Sequence, residues 1–294
     1  MRVLITGATG FVGSNLLPKL VDYDTRIIVR SFTELIDKDR QIILDNDFDK
    51  FKKTIQTFVP DVVLNLATYS TSNDDIFSIG NIVESNIFFT SILLESLKNT
   101  HIKLFVNTGT FAEYYKNDGK LNPAYYYAAS KIAARYIIKY FKNINEFKTV
   151  NVIPYTVYGG LPRNKKVIDY IIDSLDSSAP VGMTSGEQIL DFIHVDDLCD
   201  FYMHCIENNG KLSDGADYHI GTAKGTSIRE LAAMIESKTG KCAHIQWGAR
   251  EYRRPDIMRA VASLESVKEL NWTPKIDLDR GLTRLLTEKN IVRR

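Results

Sequence analysis

Val3-Leu-Ile-Thr6-Gly7-Ala-Thr9-Gly10-Phe11-Val12-Gly13 is a short apolar run that breaks into three evenly spaced glycines. Ser14 to Val21 then reads as helix. Strand, glycine turn and helix together form the context in which a glycine motif carries chemistry. Glycine there permits a tight turn, close backbone approach to a phosphate, and close packing of helix on strand. The helix start offers unpaired N–H groups and a positive dipole end to a pyrophosphate. The spacing is G-x-x-G-x-x-G, not G-x-G-x-x-G. Gly7, Thr9, Gly10, Phe11 and Val12 are the candidate contacts to such a group.

Working outward, apolar runs recur at Arg26–Arg30, Gln41–Leu44, Asp61–Ala67, Lys103–Asn107 and Thr149–Ile153. Helical stretches lie between most of them, clearest at Asn86–Asn99 and Tyr127–Phe141. Continuous apolar strands alternating with helices indicate an α/β fold, a parallel sheet covered on both faces. Right-handed crossovers make it doubly wound, with the ligand crevice at the carboxyl ends of the strands. The strand ends are Gly7–Gly13, Arg30-Ser31, Asp47-Phe48, Ala67-Thr68, Thr108-Gly-Thr110 and Pro154-Tyr155. Residues 1–160 are expected to form a dinucleotide-binding (Rossmann) domain, with return segments near 190–222. Residues 161–189 and 223–294 are expected to form a smaller, interleaved substrate lobe. In that lobe Ser227-Ile-Arg-Glu230 is a capping box opening an amphipathic helix, Val167–Leu175 reads as helix, and 161–166 is a polar loop.

The second strand ends Val29-Arg30-Ser31-Phe32, with no acid before Glu34. A free ribose 2′-hydroxyl favours Asp or Glu at that place, and a 2′-phosphate favours Arg. A guanidinium and a hydroxyl can both hold phosphate, so NADP(H) is favoured over NAD(H). The other reading is a surface arginine at a strand end.

Tyr127-Ala-Ala-Ser-Lys131 places a phenol and an ammonium at i and i+4 of a helix, on one face. Asn122-Pro123 marks a plausible helix start. A phenol ordinarily titrates near ~10, and an adjacent ammonium is expected to make its proton easier to give up. That arrangement suits a proton donor for a carbonyl under reduction.

The bulk numbers narrow the function classes. The chain has 294 residues, with 37 Lys+Arg against 36 Asp+Glu, and no clustered basic face for nucleic acid. Three cysteines without a C-x-x-C pair indicate neither a disulfide framework nor a zinc site. A reducing, cytoplasmic compartment is expected. No signal-peptide pattern is visible, and no apolar run reads as long enough to cross a membrane.

These residues resemble the extended short-chain dehydrogenase/reductase family, which contains nucleotide-sugar epimerases, dehydratases and reductases. The likeness covers nearly the whole chain. It runs through Thr6–Gly13, Asp47-Phe48, Asn65-Leu66-Ala67, Asn86, Thr110 before Glu113-Tyr114, Tyr127 with Lys131, Pro154–Gly159, Asp191–Asp197 and Leu270–Pro274. The resemblance implies that Asp47 and Phe48 hold an adenine, and that Leu66, Ala67 and Thr68 flank the ribose and pyrophosphate. Asn86, Thr108 and Pro154 join the cofactor set. Tyr127 and Lys131 are the implied acid/base pair, with Lys131 also on the nicotinamide ribose. Thr110 is the implied catalytic hydroxyl, with Thr108 the fallback. Tyr155, Thr110 and Arg254 are the implied substrate contacts, and no metal is implied. A homodimer through Asn86–Asn99 and Tyr127–Phe141 follows by the same analogy.

Within the family the sequence is most similar to short nucleotide-sugar 4-ketoreductases of the CDP-paratose and CDP-abequose synthase kind, through Gln188-Ile-Leu190-Asp191-Phe192 and the modest length. Many relatives carry Arg where Leu190 stands, on the nucleotide diphosphate. Its replacement throws weight on Arg254, in the cluster Arg250, Arg253 and Arg254; a solvated basic loop is the alternative. The expected reaction is NADPH-dependent reduction of the C4 ketone of a nucleotide-linked 4-keto-6-deoxy or 3,6-dideoxy hexose. The alternatives are an NAD-dependent 4-epimerase and a non-catalytic NADP-binding regulator. A dehydratase is disfavoured, since Phe111-Ala112 stands where such relatives carry Asp-Glu.

Overall fold

The computed structural model describes residues 1–160 and 165–292. The polar loop at 161–164, with Arg163, lies outside the described residues.

Seven parallel strands form the central sheet. They are β1 (Arg2–Thr6), β2 (Asp24–Val29), β3 (Gln41–Ile43), β4 (Val62–Asn65), β5 (Leu104–Thr108), β6 (Lys148–Pro154) and, much later in the chain, β10 (Ala216–Ile220). Their order is β10-β6-β5-β4-β1-β2-β3. Every neighbouring pair is parallel. The order reverses between β1 and β4, the switch point where a doubly wound sheet opens its crevice. Val3, Leu4, Ile5, Val62, Val63, Leu64, Leu104, Phe105 and Val106 are each 0% exposed. Both sheet faces are therefore covered, as the unbroken apolar runs require.

The covering helices are α1 (Phe11–Leu16), α2 (Phe48–Phe58), α3 (Ile76–Ile82), α4 (Phe89–Ser96), α5 (Tyr126–Asn145) and α7 (Val195–Glu207). Helix α1 tightens into a 3-10 turn at Leu17–Leu20, where Pro18 lacks an N–H for a longer ladder. The helix expected to begin at Asn86 begins ten residues earlier, because Asp75 caps it through the N–H groups of Phe77 and Ser78. A π-turn at Val83–Phe88 joins α3 to α4. The stretch Ile76–Ser96 is then 21 residues long, and an 18-residue part of it has mean hydropathy 1.4, so by length and composition it could cross a membrane. That corrects the expectation that no run is long enough. Here it packs against α2 and α5 and buries Ile82, Leu93 and Leu94 in the core. Helix α5 starts at Tyr126, not at Asn122-Pro123, because Asn122 bridges to Tyr114 in an extended segment.

The smaller lobe holds α6 (Val167–Ser174), α8 (Ile228–Thr239) and α10 (Leu278–Glu288), while α9 (Glu265–Lys268) packs back on β10 of the main sheet. The lobe's strands are β7 (Thr156–Tyr158), β8 (Val181–Met183), β9 (Ile189–His194), β11 (Gly225–Ser227), β12 (Ile245–Trp247) and β13 (Arg259–Ala260). Strand β9 sits between β11 and β13 and also pairs with β7. The expected return at 190–195 is corrected accordingly: β9 belongs to this small sheet, while α7 and β10 return to the main one. Ser227 and Glu230 close both bonds of their capping box at the start of α8. Asp191, 0% exposed, ties the small sheet together by accepting from the N–H groups of Thr222, Ala223 and Ala262.

Candidate active site

The crevice floor is the β1 turn. A Cβ at Gly7 would lie 2.7 Å from the Ala67 nitrogen, and Gly7 has φ +70°, so only glycine suits it. At Gly13 a Cβ would lie 2.2 Å from the Gly7 carbonyl oxygen. The turn is thus as bare as its sequence implies, with the α1 N-terminus behind it. Thr6, which sequence reasoning did not single out for a role, clamps the floor. Its hydroxyl donates to Asn65 Oδ1 at 3.0 Å and accepts from the Leu66 and Ala67 N–H groups at 3.1 and 2.9 Å. The cradle, bare backbone at a switch point, fits a dinucleotide pyrophosphate.

Arg30 and Ser31 are exposed at the end of β2, and among the described residues Arg30 has no ion-pair partner. Asp47 caps α2 by accepting the Lys50 N–H at 2.9 Å. Phe48 is 45% exposed and stands edge-on to Phe88, with ring centroids 6.2 Å apart.

Asn86 sits in the π-turn, 2% exposed. Its Oδ1 accepts from Thr68 Oγ1 (2.9 Å) and the Tyr69 N–H (3.0 Å). Its Nδ2 donates to the Tyr69 carbonyl (3.3 Å) and Ser130 Oγ (2.9 Å). Ser130 Oγ in turn donates to the Tyr127 carbonyl at 2.7 Å. All four bonding positions of the amide are spent on protein. Asn86 therefore braces the β4 loop against α5, which narrows the expectation that it touches a cofactor.

Tyr127 and Lys131 lie one turn apart on α5; Lys131 is 3% exposed and Tyr127 half-buried. Burial pushes the Tyr127 phenol up to about 12, and the Glu113 carboxylate adds to this; the Thr68 and Ser70 hydroxyls oppose it. Burial pulls the Lys131 ammonium down to about 8, against the support of Glu113. The expectation that Lys131 makes the phenol more acidic is corrected here: burial and the Glu113 carboxylate set the direction of the phenol's shift.

Thr110 is 8% exposed, beyond the end of β5. Its Oγ1 accepts the Ala112 N–H at 3.3 Å, which leaves its own proton free to donate. Thr108 differs: its hydroxyl shares a 2.7 Å bond with the buried Tyr202. Thr108 is thus tied to α7, whereas the Thr110 hydroxyl is bonded within its own turn.

Pro154 ends β6 opposite Ile220. Tyr155 is 4% exposed, its ring stacked on Phe111 at 5.7 Å and its hydroxyl 3.2 Å from His219 Nδ1. It forms the wall behind Phe111. Leu190 packs against the same apolar cluster as Ala112, Tyr155, Ile257 and Ala260. The position where relatives carry Arg is here part of an apolar surface. Arg254 is exposed, and Arg253 lies over the Tyr125 ring at 6.0 Å. Sequence reasoning assigned no role to Arg135 and Glu113, which are buried beneath the site. The visible signal was Arg135 at i+8 from Tyr127, on the same face of α5.

The family model described as NAD dependent epimerase/dehydratase family matches residues 3–221. A CDP-abequose synthase from Salmonella typhimurium is 29% identical to the chain, covering 97% of each. Two solved structures share the fold. A UDP-glucose 4-epimerase from Thermotoga maritima with UDP-glucose has a TM-score of 0.83 at 21% identity, covering 99% of each chain. A UDP-glucuronic acid 4-epimerase from Bacillus cereus with UDP-glucuronic acid and NAD has 0.84 at 22% identity, covering 99% of this chain and 100% of that one.

Proposed function

The chain belongs to the NAD dependent epimerase/dehydratase family, and from that premise we propose that it is an NADPH-dependent nucleotide-sugar 4-ketoreductase. The substrate is a nucleotide-linked 4-keto-6-deoxy or 3,6-dideoxy hexose. The bound nicotinamide cofactor supplies the hydride. Gly7, Thr9, Gly10, Phe11 and Val12 hold its pyrophosphate, Arg30 and Ser31 its 2′-phosphate, Asp47 and Phe48 its adenine, and Lys131 its nicotinamide ribose. Tyr127 gives a proton to the forming alkoxide. Thr110 donates a hydrogen bond to the same oxygen as charge develops there. Arg254 binds the nucleotide diphosphate from the smaller lobe, across the cleft. Its CDP-abequose synthase relatives support a place in deoxysugar modification.

The observation that carries this reading is the meeting of three groups at the crevice: the Thr110 hydroxyl, which accepts only the Ala112 N–H among the described residues, and Tyr127 with Lys131 one turn apart on α5. Together they can hold and protonate a carbonyl oxygen. The exposed Arg30 at the end of β2 suits NADPH, the reductant of a ketoreductase. Phe111-Ala112, packed against Tyr155, offers no acid or base for a dehydration.

The test is NADPH consumption against a panel of nucleotide 4-keto-6-deoxy sugars. Tyr127→Phe keeps the ring and should lose turnover by ~10²–10⁴, with NADPH affinity nearly intact. Activity should decline as pH rises through about 8, where Lys131 loses its proton. Wild-type turnover in Tyr127→Phe would sink the proposal.

A further inference from the structure

Tyr127, Lys131 and Arg135 stand at i, i+4 and i+8, so one face of α5 presents all three. Glu113 lies against this face with its side chain 0% exposed. Its Oε1 accepts the Thr110 backbone N–H at 2.7 Å. Its Oε2 stands 2.6 Å from Arg135 Nε. The N–H does not aim along that line, so the contact is an ion pair and not an aligned hydrogen bond. Arg135 then donates to Asp217 Oδ2 at 2.7 Å and to the Tyr114 hydroxyl at 3.1 Å. Tyr114 donates to the same Asp217 oxygen at 2.6 Å, and Asn151 donates to the other at 2.7 Å. The backbone makes room for the carboxylate: a Cβ at Gly109 would lie 2.6 Å from Glu113 Oε1 and 2.5 Å from Ile153 Cδ1.

A buried ion pair is an expensive way to hold a fold, since apolar side chains of similar volume commonly do as well. What distinguishes this pair is what it joins. One end grips the backbone of Thr110, and the other is rooted in the helix face that carries Tyr127 and Lys131. We infer that Glu113 and Arg135 are positioning residues, locking the Thr110 hydroxyl to the Tyr127–Lys131 face of α5. This rests on the reading that Thr110, Tyr127 and Lys131 carry the chemistry.

On Lys131 the two residues oppose each other: the Glu113 carboxylate supports the ammonium and the Arg135 guanidinium works against it. Glu113 faces Arg135 and Lys131 of α5 and, through Arg135, Tyr114 and Asp217; His219 lies beside the Tyr114 ring. The Tyr127 phenol faces Glu113, the Thr68 and Ser70 hydroxyls, and Tyr202 of α7. A negative charge at Glu113 disfavours the phenolate and favours the ammonium. Both donors therefore hold their protons to higher pH while it is present.

Two variants separate position from charge. Glu113→Gln removes the charge at nearly constant shape. Without the charge the ion pair to Arg135 no longer anchors the Thr110 turn, and kcat should fall by about 10–100-fold. The alkaline limb should move to lower pH by about one unit, as for a lost nearby charge. The Michaelis constant for the sugar, measured well below the limb, should stay near wild type. Glu113→Asp keeps the charge but is one methylene too short to reach both partners. Its kcat should fall while the limb stays in place. The pH dependence of NADPH binding, read by fluorescence without any sugar, should show the same displacement in Glu113→Gln alone. Should the Gln variant fail to fold, the Asp variant carries the test through its kcat. Wild-type kcat and an unmoved limb in the folded variants would overturn the inference. The reductase reading fails separately, on wild-type turnover in Tyr127→Phe.

Discussion

At the scale of single residues, the sequence made the right groups visible but not their surroundings. Tyr127 and Lys131 could be paired from their spacing alone, since four residues of helix put them on one face. The direction of the phenol's shift could not, because it depends on how dry the pair is. Desolvation comes first for both groups, and Glu113, eighteen residues before Lys131 in the chain, comes next. The offset of four from Tyr114 favours Thr110 over Thr108; the bond of Thr108 to the Tyr202 hydroxyl, more than ninety residues away, had no sequence signal. Arg30 is the opposite case, in which the residue stands alone. It is exposed and has no carboxylate partner among the described residues, so its guanidinium is available to a 2′-phosphate. The wild-type protein should bind NADPH more tightly than NADH. Arg30→Ala should remove most of that preference, about tenfold or more, as expected for a charge-assisted phosphate contact of ~1.5–3 kcal/mol. Equal affinities in the wild-type protein, measured by fluorescence titration, would refute the assignment.

At the scale of elements, strands were easier to read than helices. Fully buried parallel strands are continuous apolar runs: Val62–Asn65 falls inside the stretch so marked, and Leu104–Thr108 runs one residue past its own. Strand β9 has the same appearance, yet it pairs in the small sheet, because composition reports burial and not the partner. Helix ends depended on caps: Ser227 with Glu230 was legible, whereas Asp75 stood in a polar stretch that hid the start of α3. The π-turn had no sequence signal. It widens the helix at Asn86, whose amide holds the Thr68–Tyr69 loop and Ser130 together. Asn86→Ala should leave the buried Ser130 hydroxyl short of a partner and release the Tyr69 backbone, at about 1–3 kcal/mol. The melting temperature should therefore fall. NADPH affinity should fall with it, because the Ala67-Thr68 segment would lose its brace. An unchanged melting temperature would mean that the bonds of Asn86 are replaced by water.

At the scale of the whole molecule, one surface remains without cover. Helices α3, α4 and α5 pack side by side on the main sheet. Outward they expose Ile76 (76%), Phe77 (81%) and Phe88 (52%) from the first stretch, and Tyr136 (66%), Tyr140 (61%) and Ile144 (49%) from α5. The last three recur at i, i+4 and i+8, so they form one stripe along the helix. Aromatic side chains on such a face supply large contact area with little entropy to lose, and tyrosine is enriched in interfaces. The same surface explains how Ile76–Ser96 reaches the hydropathy of a membrane segment while its other side serves the core. Two copies of the chain related by a two-fold axis would bury this face on each other, a self-complementary contact that closes on itself. We therefore expect a homodimer through α3–α4 and α5, with the crevice at the strand ends left open. Sedimentation velocity should show a dimer for the wild-type protein. Tyr136→Glu combined with Tyr140→Glu would place four like charges at the centre of the contact, two from each copy, and should yield a monomer. Tyr127, Lys131 and Asn86 face away from the stripe toward the core and crevice, so the monomeric variant should still bind NADPH. A wild-type protein that sediments as a monomer at every concentration tried would instead leave the face to some other partner.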